Sequence, residues 1–112
     1  MAIGSSEYLR YNEPLAAAAY QEIGLLSMAA AETVIGYSSS GNIDFTVLGI
    51  LRNTTTGVYG DESILAMVTP GATSETDIYT VPAGYDAVVR VVVCNTGSAG
   101  SFRLAHCLIA GG

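Results

Sequence analysis

A chain of 112 residues that is half hydrophobic and only 12% charged holds enough apolar material for one core and little polar material to cover it. Ten carboxylates stand against four arginines and no lysine, and the resulting net charge of −6 repels phosphate backbones and argues against nucleic-acid binding. Cys94 and Cys107 are too few for a disulfide framework and lack the paired spacing of a zinc site, so neither staples nor metal are expected to hold the fold.

Along the chain, short runs of β-branched and aromatic residues recur between Gly, Ser, Asn, Thr and Pro, the punctuation of a β-sandwich or barrel. The first residues hold no basic stretch ahead of an apolar core, and Gly4 is not placed for myristoylation, so neither secretion nor lipid anchoring is read there. Strands are predicted over 7–12, 19–26, 33–38, 43–51, 63–69, 76–81, 86–94 and 101–109. The stretch 14–31 is broken by Gln21, Glu22 and Ser27 and is too polar to span a bilayer; a soluble protein with no membrane partner is expected. Its alanines, leucines and glutamates favour helix, and Pro14 could open one, so a helical segment over 14–32 is the rival reading; Gly24 weakens it.

Further on, Ile43, Phe45 and Val47 alternate with Asp44 and Thr46, which places the large apolar groups on one face and predicts core. The segment 86–94 is apolar almost throughout, apart from Arg90, and predicts a central strand covered on both faces. Gly97 and Gly100 make 95–101 a flexible connection, and a hairpin with the last strand is expected. If Cys94 lies across from Phe102 in that hairpin, Arg90 lies across from His106 and the cysteines cannot bond; two buried free thiols are then expected, with a disulfide as the alternative should the register shift by a residue.

Little here resembles a catalytic site. His106 is the single histidine, and its neighbour Cys107 points to the opposite face of a strand, so a packed or interface histidine is expected rather than a nucleophile and base. Asp61 and Glu62 form the only adjacent acidic pair; Asp44, Glu75, Asp77 and Asp86 stand singly and read as solvated turn residues, with no calcium loop among them. Gly84, Gly97 and Gly100 do not follow the strand, glycine-rich turn and helix order of a phosphate-binding loop. Catalytic, metal and cofactor-binding residues are therefore expected to be none. Tyrosine is the one enriched aromatic, at 8, 11, 20, 37, 59, 79 and 85, suited either to subunit contacts or to packing at sheet edges.

The run Asp77-Ile78-Tyr79-Thr80-Val81-Pro82-Ala83-Gly84, the valine-rich strand ending Val93-Cys94-Asn95, and then Phe102-Arg103, resemble a core of small virion structural proteins of tailed bacteriophages. The turn itself is readable: a strand stops at Pro82, Gly84 permits a tight reversal, and the chain returns through an apolar strand. Tyr8-Leu9-Arg10-Tyr11 with Pro14, Ala16 and Ala17, and later Gly41-Asn42-Ile43-Asp44-Phe45-Thr46-Val47, look like the segment that follows that core in the family. Here it comes first, the pattern of a circular permutation with the old ends joined near 52–57 and new ends in glycine-rich stretches.

The resemblance implies a single-domain β-sandwich of jelly-roll type with about eight strands. It implies a capsid-decorating or tail-associated protein made in the host cytoplasm and located in the virion, assembling as a homotrimer against capsid or tail proteins. Tyr8, Tyr11, Tyr79, Tyr85, Arg90 and Arg103 are then the candidate interface residues. A lectin-like or host-recognition module of a tail or fibre, with loops 95–101 and 52–60 as its binding edge, is the alternative, and a small hydrolase ranks third because of the single histidine.

Overall fold

The computed structural model describes residues 8–107. The strands are β1 (Tyr8–Leu15), β2 (Tyr20–Met28), β3 (Thr33–Ser38), β4 (Ile43–Asn53), β5 (Ser63–Val68), β6 (Thr76–Thr80), β7 (Tyr85–Asn95) and β8 (Gly100–Cys107). Each matches a predicted strand, with ends moved by at most three residues. The predicted end of the last strand, and the glycine-rich stretches assigned to the new termini, lie outside the described residues.

These strands form two antiparallel sheets of four, ordered β1-β8-β3-β6 and β2-β7-β4-β5. Partners nest: β1 pairs with β8, β2 with β7, β3 with β6 and β4 with β5. This is a long hairpin of strands folded over on itself, the jelly-roll form of the β-sandwich. Joining β8 to β1 and cutting between β4 and β5 would keep the same nested pairs, so this topology accommodates either order of the two halves.

The core lies between the sheets and follows the period of two. Ile43, Phe45 and Val47 of β4 are fully buried, as predicted, together with Val89, Val91 and Val93 of β7 and Val34, Phe102 and Leu104 of the facing sheet. Phe45 and Phe102 meet edge to face at 6.1 Å and 75°, joining the two sheets.

Three readings are decided by the fold. First, the strand predicted over 19–26 is present and its helical rival over 14–32 is not: β1 ends at Leu15, a turn follows, and β2 occupies 20–28. Pairing with β7 outweighs local propensity, and a bulge between Gly24 and Leu26 lets Ile23, Leu26 and Met28 all reach the core. Second, β7 and β8 do not form a hairpin, since they lie in different sheets. The 96–99 turn crosses the thickness of the sandwich, His106 pairs with Val34 of β3, and Arg90 lies between Gly24 and Leu48. Third, β7 is central in its sheet but covered on one face alone: Ala87, Val89, Val91 and Val93 are buried, while Val88 is 38% exposed.

Candidate functional site

Because β7 alternates, its second set of side chains forms a row on the outside of the β2-β7-β4-β5 sheet: Asp86, Val88, Arg90, Val92 and Cys94. Register extends that row sideways. Val88 lies opposite Ile50, Arg90 opposite Leu48, Val92 opposite Thr46, and Cys94 opposite Asp44. Ile64 and Met67 of β5 continue it beyond Leu48 and Thr46, and Tyr20, Glu22 and Ser27 of β2 continue it on the other side. Leu25 at the bulge is 73% exposed and Met67 69%. A solvated sheet face ordinarily carries polar side chains at these positions, whereas this one carries a band of large apolar groups.

Charged groups frame the band and hold one another. Arg52 Nη2 donates to Asp86 Oδ2, which raises the guanidinium's pKa further above its ordinary value, first through the hydrogen bond and then through the charge. Arg90 sits mid-face, 3.6 Å from Glu22 Oε1 and 3.7 Å from Glu62 Oε1, while its Nε is buried without a hydrogen-bond partner. Gly24 makes this placement possible, because a Cβ there would stand 2.8 Å from Arg90 Cβ. At the Tyr85 end the face runs into two open hollows of about 460 and 520 Å3, which share Tyr59.

The opposite sheet carries a second arrangement. Arg103 of β8 lies directly across from Tyr37 of β3, and its guanidinium carbon is 4.2 Å from the Tyr37 ring and 4.6 Å from the Tyr11 ring. Arg103 Nε donates to Asn12 Oδ1 at 2.7 Å. The irregular register of β1 explains it: Tyr11 and Asn12 fall between the pairs Arg10 with Leu104 and Glu13 with Phe102, and Asn12 takes φ = 51°. A bulge thus turns both side chains onto one arginine.

The remaining predicted positions divide. Tyr79 and Tyr85 are half-buried and pack against the core, and burial pushes the Tyr79 hydroxyl's pKa up. Tyr8 pairs by its backbone with Ala105, and its side chain lies outside the described residues. Cys94 is a free thiol, half-buried on the outer face rather than within the core; the side chain of Cys107 lies outside the described residues. The loop 95–101 follows β7 at Asn95, whereas the loop 52–60 follows β4 at Asn53, which pairs with Tyr85 at the opposite end of β7, so the two do not make one binding edge.

Sequence reasoning did not find the contact of His106 with Glu32, where Nε2 and Oε1 are 2.8 Å apart with both side chains largely buried. Glu32 stands in the turn between β2 and β3, and no local pattern joins it to a histidine on β8. Among the described residues no group of three His, Cys, Asp or Glu is placed to hold a metal ion. No protein-family profile matches the chain, and comparison with curated proteins returns no relative.

Proposed function

We propose that this chain is a structural component of a tailed-phage virion, of the capsid-decorating kind, which acts by assembling with copies of itself and with capsid or tail proteins. The observation that carries the reading is the surface. Tyr11, Tyr20, Leu25, Val58, Tyr59, Ile64, Met67 and Val88 are all exposed in a domain that has few charged residues to spare. Large exposed apolar area is unfavourable for a free monomer and useful in an assembly. The phage-like segments fall on the β6–β7 turn, β7 and β8 and on β1 and β4, so the resemblance spans both sheets of a fold that viral capsid domains also use. No residue performs chemistry in this account.

Light scattering over a dilution series tests assembly, and quantitative mass spectrometry of purified virions tests location. A closed oligomer present in virions at many copies per particle supports the reading. A protein found only outside the particle would refute it.

A further inference from the structure

We infer that the outer face of the β2-β7-β4-β5 sheet is buried in solution against a second copy of this chain; this rests on the reading of the protein as a self-assembling module. The first argument comes from β7. A strand apolar on both sides is the mark of a sheet covered on both faces, and here the facing sheet covers only the inner one. The outward set does not stand alone: Leu48, Ile50, Ile64, Met67 and Val88 are contiguous by register across β4, β5 and β7, and Leu25 stands exposed at the bulge of β2. One further layer would complete what β7 already encodes.

Size fits that occupant. Four strands about 4.8 Å apart and about ten residues long at about 3.3 Å each give a face of roughly 600 Å2, or about 1,200 Å2 when two copies meet, the lower bound of stable protein interfaces. Shape fits it as well, since a twisted sheet packs most closely on a sheet of the same twist, and a second copy supplies one.

Charge narrows the choice. The net charge of −6 disfavours nucleic acid and anionic lipid, yet two of the four arginines, Arg52 and Arg90, are on this face. Arg90 meets Glu22 and Glu62 at 3.6 and 3.7 Å, longer than a hydrogen bond, so the face carries charges of both signs that a second copy, turned about a two-fold axis, can pair.

The test uses the full chain. Light scattering and sedimentation over a dilution series would compare the wild type with Val88→Asp and Ile50→Asp, and with Ser74→Asp, which adds the same charge at an exposed site in the β5–β6 connection. Far-UV circular dichroism confirms that each variant keeps its β-structure. In a Cys107→Ser background, the alkylation rate of Cys94 by iodoacetamide reports directly on the face, because Cys94 stands in its outward row.

The expected result is an oligomer that falls to monomer in both face variants but not in Ser74→Asp, with Cys94 alkylation slowing at least severalfold as concentration rises. An oligomer unchanged by the face variants, with Cys94 alkylation independent of concentration, overturns this face and leaves self-assembly standing. A wild-type monomer at every concentration overturns both.

Discussion

Arg103 and Tyr37 face each other across β8 and β3, the guanidinium carbon 4.2 Å from the ring centre, and the same carbon is 4.6 Å from the Tyr11 ring. Each cation–π contact at such a site contributes about 0.5–1 kcal/mol, and the bond to Asn12 adds to it. Arg103→Ala is therefore expected to lower the unfolding free energy by about 1–2 kcal/mol in a urea titration. Arg103→Lys should recover less than half, because an ammonium lacks the planar face that stacks on an aromatic ring. A loss near zero for Arg103→Ala would show that the stack contributes nothing to the fold; an altered oligomer mass in the same variant would place it at a subunit contact.

Phe45 and Phe102 tie the two sheets through a single edge-to-face contact between fully buried rings. Phe45→Ala is expected to cost about 3–5 kcal/mol, a large share of a small domain's stability. A double-mutant cycle with Phe102→Leu should return a coupling of about 0.5–1.5 kcal/mol, measured by chemical denaturation. Additive losses would show that the rings act only by filling volume.

Asn95 is the buried polar residue on which one end of the sandwich is organised. Its Nδ2 donates to Leu15 O at 3.0 Å and to Ser98 O at 2.8 Å, while its Oδ1 accepts from Gly97 N at 2.9 Å. The β1–β2 and β7–β8 turns are thereby fastened to each other. Asn95→Ala leaves these backbone groups without their partner and should cost about 2–3 kcal/mol. Asn95→Asp should be at least as damaging at neutral pH, since a carboxylate would confront two carbonyls. Hydrogen exchange in the two turns is the measurement, with faster exchange in both as the expected outcome.

Tyr79 gives the pH prediction. Burial holds the phenol in its neutral form and raises its folded-state pKa above the ordinary value of about 10. Below that value both states keep the proton and Tyr79 adds no slope. As pH rises past about 10, the unfolded chain releases its proton first, so stability falls until the folded-state pKa is passed. Thermal melts from pH 8 to 11 should show the wild type losing stability more steeply than Tyr79→Phe, and equal slopes would contradict the assignment.

The strands themselves were legible because each carries a local mark. Period-two alternation in β4, β-branched density in β7 and the Pro82 to Gly84 turn, where Gly84 takes φ = 85°, belong to a few adjacent residues and need no partner to be read. Pairing was not legible in the same way. The glycines after Asn95 suggested a hairpin, yet a turn of that length serves equally to cross between sheets, and the cross-over is what buries Phe102 and Leu104 opposite β4 and β7. The β2 segment reads as helix by composition, and only its ladder with β7 makes it a strand.

The candidate sites divide along the same line. Arg90, the one charge in an apolar strand, was visible as an exception from the sequence. Its place amid an exposed apolar face followed only once β2, β4 and β5 were seen beside it. The clamp on Arg103 and the contact of His106 with Glu32 join residues far apart in the chain, and no local spacing encodes such pairs.

Which side of a strand each side chain takes, and that the chain must bury one such side, follow from alternation and composition in the sequence alone. Which strands become neighbours, and so whether an outward valine meets water or another layer, depends on closure of the sandwich. That choice is made by long-range contacts whose free energy no short segment contains.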